Sequence, residues 1–192
     1  MSRARSRELR RIQRELERFY GLERAPDVTR FVREGESGSR EVVLVRELDA
    51  ELEIGLVLPP ESRSLAATPF GDLWLQAVEG VSHFLYLVER ARVSLPTTRL
   101  ELELQAEVDK FVVVSRRVVG RVEARVRRLF EDIRFTHAVG SEDGERYRLA
   151  NSLAARFVMR TVAERDLDVV QGRLRRFYRA GQTEKISLAR AA

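Results

Sequence analysis

The hydrophobic positions of this chain fall into blocks of two different periods. Leu9, Ile12, Leu16, Phe19 and Tyr20 recur at three- and four-residue steps. They predict an amphipathic first helix, with Gly21 placed to end it in a left-handed cap. The next runs, Val28–Arg33, Glu41–Glu47 and Leu52–Leu58, have strand character and are separated by the turn-rich stretch 34–39 and by Asp49-Ala50. In the third run Leu52, Ile54, Leu56 and Leu58 alternate with Glu53, Gly55 and Val57. These runs predict a three-stranded antiparallel meander over 28–58, with one face on a core and one in water. So small a sheet needs a helical layer to cover its apolar face.

After a Pro-, Ser- and Ala-rich linker over 59–69, the helical period returns. Leu73, Ala77, Val81, Phe84, Leu85 and Val88 form one stripe, with Asp72 as the expected N-cap after Pro69-Phe70-Gly71. Pro96 interrupts, and Thr97 or Thr98 is placed to cap a second helix. There Leu100, Leu104, Val108, Phe111, Val119, Val122, Val126, Leu129 and Ile133 keep helical spacing. A continuous helix of that span would be about 50 Å long. Val112-Val113-Val114 and Gly120 mark the place where it would bend or restart. Two long helices with a short connection are expected to pack antiparallel.

Beyond them, Gly140–Gly144 reads as a loop. Tyr147, Ala150, Leu153, Ala154, Phe157, Val158 and Thr161 outline another helix. Leu167, Val170, Leu174 and Phe177 outline one more, opened by Asp166 and closed near Gly181, while 182–192 has no decisive period. The expected fold is α+β, a single domain over 1–192. It has an N-terminal helix in 1–21, the meander in 28–58, and a layer of four to five helices in 72–180 built on the long antiparallel pair.

Composition narrows the setting. No run of eighteen apolar residues exists, so no transmembrane helix is expected. The Arg-rich first residues lack the apolar segment of a signal peptide, and the absence of cysteine removes disulfides and thiolate chemistry. A cytoplasmic setting is expected. With two histidines and no cysteine, a structural zinc site is not expected, nor is any other metal or cofactor.

The net charge of +5 is unevenly spread: −6 over 51–109, +5 over 110–134 and +4 over 135–192. Thirty-three of the thirty-five basic residues are Arg. That bias is more simply a matter of genomic base composition than of selection for phosphate contacts. In the first helix Arg7, Arg10, Arg11, Arg14 and Arg18 are interleaved with Glu8, Glu15 and Glu17, the pattern of a solvated face with intrahelical pairs.

Two clusters hold the candidate chemistry. Glu79 and His83 share one face of the first long helix, and Glu103, Glu107 and Lys110 share one face of the second. Convergence of Glu79, His83, Glu103 and Glu107 would suit a divalent cation or general acid–base work. No Glu-x-x-His pair of the kind used by di-metal bundles is present, and exposed carboxylates beside an apolar stripe explain the same spacing. Leu102 lies off the main stripe, so the second helix is apolar on two sides and its acids are candidates for burial.

The other cluster is basic. Arg117, Arg121, Arg125 and Arg128 would share a stripe on a continuous helix, with Arg116, Arg127 and Arg134 nearby, and Arg175 and Arg176 belong to a C-terminal group with Arg173 and Arg179. Such a surface suits nucleic-acid phosphates, although no recognition motif accompanies it. A Gly-rich phosphate loop, a nucleophile elbow and a zinc-protease helix are absent. The function expected is therefore non-catalytic: a protein-interaction or regulatory protein acting through charged helical faces, self-association included. Nucleic-acid binding through the Arg residues is the alternative, and a small enzyme using the Glu/His cluster is the third.

Overall fold

The computed structural model describes residues 2–23, 25–37, 40–48, 51–60, 71–133 and 135–191, and for residues 46–48, 51 and 52 the backbone only. The expected turn at Asp49-Ala50, residues 61–69 of the linker, the Pro69-Phe70 breaker and Arg134 lie outside the described residues. The fold is α+β, and the described residues form seven helices and a three-stranded mixed sheet. The chain divides into two compact units, Met1–Pro96 and Thr97–Ala192.

In the first unit, α1 (Arg3–Tyr20) opens on Ser2, whose hydroxyl accepts from Arg5 N. It closes on Gly21 at φ 64°, where only the lack of a Cβ makes the turn cheap. Leu9, Ile12, Leu16 and Tyr20 are buried as their spacing predicts, and Arg7, Arg10, Arg11, Arg14 and Arg18 are exposed. Arg5 departs from that pattern: it is fully buried, 3.6 Å from Glu34.

The first expected strand starts late. Asp27 accepts from Thr29 N and caps a 3-10 turn over Val28–Arg30, so β1 is only Val32–Glu34. β2 (Val42–Leu48) and β3 (Glu51–Leu58) form the expected hairpin, with Val43 opposite Leu56 and Val45 opposite Ile54. The meander is corrected at its other edge: β1 pairs parallel to β3, giving the order β1-β3-β2. The hairpin takes one edge of β3 and leaves the other to β1. Sequence order alone cannot distinguish that arrangement from a meander.

Ile54, Leu56 and Leu58 are buried on one face. α2 (Asp72–Arg92) packs on β2, β3 and α1. Its N-cap is Gly71, not Asp72; Asp72 is the first helical residue, and its carboxylate accepts from Gln76 Nε2 at 2.7 Å. Trp74, buried, donates its indole N–H to Glu8 Oε1 at 2.9 Å and so ties α2 to α1.

The second unit starts with α3 (Arg99–Arg117), whose N-terminus is a capping box. Thr98 Oγ1 accepts from Glu101 N, and Glu101 accepts from Thr98 N. The expected long helix does not run through. α3 ends at Arg117, Gly120 sits at φ 148°, and the chain restarts as the short α4 (Val122–Val126), which runs into a π turn over Arg127–Glu131. At about 1.5 Å per residue, the nineteen residues of α3 span about 28 Å.

α5 (Glu142–Val162) begins earlier than its apolar stripe, because Ser141 caps it through Gly144 N; Glu142–Gly144 are thus helical and not loop. Asp166 caps α6 (Leu167–Arg179), as expected, and the undecided tail forms α7 (Gln182–Arg190). α3 and α5 carry most of this core through Leu104, Val108, Ala150, Leu153, Ala154 and Phe157, and α7 packs on α3, α5 and α6. No described helix is long and apolar enough to cross a membrane.

Candidate functional site

The residues of the expected Glu/His cluster are divided between the two units. In the first unit, Glu79 and His83 lie one turn apart on α2 and are both buried, with ligand-capable atoms within 4.8 Å of each other. A third buried group, absent from the sequence argument, joins them: Glu41 Oε1, just ahead of β2, is 4.0 Å from His83 Nδ1. Glu41 is held there by its backbone N–H, which donates to Gln76 Oε1 at 3.2 Å. Periodicity could not reveal Glu41, because an acid at the head of a strand run reads as a solvent-facing residue, and the hairpin carries it inward.

One imidazole between two carboxylates can hold a divalent cation or share a proton. With only 5% of His83 exposed, the imidazole is better placed as a ligand or a structural donor than as a base that meets a bulky substrate.

In the second unit Glu103 and Glu107 are separately engaged on α3. Glu103 is buried, 4.0 Å from Arg146 Nε on α5, and Arg146 Nη2 reaches Asp143 at 2.7 Å. Hydrogen bonding and the charge of Arg146 hold the Asp143 carboxyl below the usual carboxylate range. Glu107 pairs with Lys110 at 2.8 Å, three residues on.

A fully buried ammonium in this unit carries no mark in the hydrophobic pattern. Lys185 on α7 is fully buried; its ammonium donates to Gln105 Oε1 and to Phe177 O, both at 2.5 Å, and lies 4.3 Å from the centroid of the Phe177 ring. Gln105 in turn donates to Asp109 at 2.8 Å. A signal was present in composition. The chain has only two lysines, Lys110 and Lys185, and both are buried in this unit. Where Arg is the default base, a lysine marks a place that takes a compact ammonium with three donors and not a planar fork.

The basic stripe is not a stripe. Arg117 ends α3, Arg121 is the N-cap of α4, Arg125 turns back onto the chain break, and Arg128 lies in the π turn. Arg125 Nη1 donates to Val118 O at 2.9 Å and to Gly120 O at 2.8 Å, so its role is to hold the break closed. On α6, Arg176 is committed to Glu184 through both Nε and Nη2, and Arg175 is half-buried. Of the six Arg residues put forward for nucleic acid, Arg121, Arg128 and Arg176 are exposed.

One patch of exposed apolar side chains lies in the sheet. β2 is an edge strand with no partner on its outer side among the described residues, and Val42, Leu44 and Val45 each remain 45–49% exposed. Val42 and Leu44 face Val57 and Gly55 across the hairpin, so they form the sheet's outer face, away from Leu56 and Ile54.

Comparison with known proteins identifies no relative: no family model, no curated protein and no solved structure matches the chain.

Proposed function

We propose that this is a non-catalytic interaction protein that works as a pair of identical chains joined through the outer edge of β2. The observation that supports this reading is a strand edge with no partner among the described residues, carrying Val42, Leu44 and Val45, each nearly half exposed. Monomeric proteins blunt such edges with charge, Pro, bulges or a covering element. Residues 42–45 contain no Pro and no charge.

The occupant follows from self-complementarity. A two-fold axis normal to the sheet through Val43 sets Val43 opposite Val43 and Val42 opposite Leu44 of the second copy, so that like faces meet in an apolar ladder. The sheet would then run through six strands. This reading keeps interaction as the function but moves its seat from charged helical faces to the sheet.

Sedimentation velocity of the full chain over a hundredfold concentration range tests it. A concentration-dependent species of twice 22.1 kDa is expected. Val42→Lys with Leu44→Lys should return the monomer with an unchanged far-UV circular dichroism spectrum, because both side chains are already half in water. A monomer at all concentrations, or a dimer indifferent to both substitutions, would overturn the reading.

A further inference from the structure

We propose a second site, independent of the β2 edge: the cavity among α5, α6 and α7 binds a small organic anion, a carboxylate or phosphate monoester on a short apolar body. The cavity holds about 270 Å³. Liquid water occupies about 30 Å³ per molecule, so the space suits a ligand of about nine water volumes, a six- to eight-carbon chain with its head group.

The lining divides cleanly in two. Phe157, Thr161 and Leu188 give it an apolar side, and the phenyl ring of Phe157 is fixed by stacking on Phe177 at 4.1 Å. Arg160, Arg173 and Arg176 give it a cationic side, and among the described residues no acidic side chain lines the cavity.

Two of these guanidinium groups have donor capacity to spare. Arg160 Nη2 donates to Leu188 O at 2.6 Å and Ala189 O at 2.8 Å near the end of α7. That anchors the fork and leaves Nε and Nη1 with no protein acceptor among the described residues. Arg173 Nη2 is 3.6 Å from Glu164 Oε2, an ion pair too long for a hydrogen bond. Arg176 is committed to Glu184 and adds charge at the rim.

A pre-oriented Arg160 with Nη1 free and a loosely paired Arg173 on the same cavity can each donate to one oxygen of a carboxylate or phosphate. An inorganic anion would satisfy that half and leave Phe157 and Leu188 against water. An anion with an apolar tail satisfies both, and the charge alone does not call for a polymer.

Isothermal titration of the full chain with octanoate, hexyl phosphate, inorganic phosphate and hexanol tests the assignment. One-to-one saturable binding is expected for octanoate or hexyl phosphate, and the stronger of the two identifies the head group. Inorganic phosphate and hexanol should each bind at least tenfold more weakly. Arg173→Gln should weaken the preferred ligand at least tenfold, and Arg173→Gln with Arg176→Gln further; both side chains are about half exposed or more, so the fold should persist by circular dichroism.

Absence of saturable binding by both tailed anions, or equal binding by the Arg173→Gln variant, would overturn the proposal. So would displacement of hexyl phosphate by a short single-stranded RNA that binds tighter and with the same dependence on Arg173, which would assign the cavity to nucleic acid.

Discussion

Lys185 Nζ stands 2.5 Å from Oε1 of Gln105, a residue eighty positions earlier in the chain. The same ammonium holds Phe177 O near the C-terminal end of α6, where a positive charge also favours the helix dipole. One side chain thus fastens the α6–α7 corner onto α3. Lys185→Met keeps the volume but leaves Gln105 and Phe177 O buried with an acceptor each to satisfy. A loss of about 1–3 kcal/mol is expected for leaving such buried acceptors without their donor. Urea denaturation followed by circular dichroism measures it. In a double-mutant cycle, Lys185→Met with Gln105→Leu should cost clearly less than the two single changes added, because the second removes an acceptor that the first orphaned.

Gly80 marks a close approach of α2 to the sheet. A Cβ built there would lie 2.6 Å from Leu56 Cδ1, and Leu56 is itself fully buried in β3. Gly80→Ala gains helix propensity but overpacks this contact, so a net destabilisation of about 1–3 kcal/mol is expected. Leu56→Val in the same chain should recover part of it. Trp74 is the only tryptophan and is buried in the first unit, so its emission in a denaturant series reads the effect there.

The break between α3 and α4 rests on Gly120 at φ 148° and on the Arg125 clamp. L-residues rarely take that backbone angle, so Gly120→Ala should cost about 1–3 kcal/mol. Arg125→Ala should cost less, about 0.5–1.5 kcal/mol, because water can reach the carbonyls it leaves. If the break were an accident of an otherwise continuous helix, Gly120→Ala would instead raise stability and helicity in thermal unfolding.

Asp27 supplies a pH dependence with a definite sign. Burial raises its pKa, but the hydrogen bonds from Thr29 and Arg10 and the Arg10 charge outweigh it and hold the carboxyl below the ordinary Asp value of about 3.9. A group depressed on folding contributes stability that is fully present above its unfolded pKa and disappears as pH falls through the folded one. Asp27→Asn should therefore lower Tm at pH 7 and flatten the decline of Tm below about pH 4. An unchanged acid slope in that variant would remove Asp27 from the acid response.

Much of the architecture was legible in the sequence because it is local. The stripe Leu9–Leu16, the Gly21 cap, the alternation through Ile54, Leu56 and Leu58, and the Thr98 and Asp166 caps depend on residues within a few positions of one another. The chain itself enforces those relationships. It also marked the weak point at Gly120, though only the backbone angle shows that the helix stops there. Of the candidate chemistry, the burial of Glu79, His83 and Glu103 was anticipated only as an option, since a stripe on a helix does not say how wide a neighbour's cover will be.

What tertiary structure decided was non-local. β1 joined β3 in parallel although it precedes β2, because a strand edge accepts whichever segment the loops can deliver. Glu41 came to His83 from another element, Lys185 reached Gln105 across most of the second unit, and Arg173 met Arg160 around one cavity. Those pairings arise when helices chosen for their apolar faces pack and carry their polar neighbours with them. The sequence by itself determined which segments are helix and strand and which faces must be covered. Only packing decided which polar groups were enclosed together, since burial and pairing depend on distance in space and periodicity records only distance along the chain.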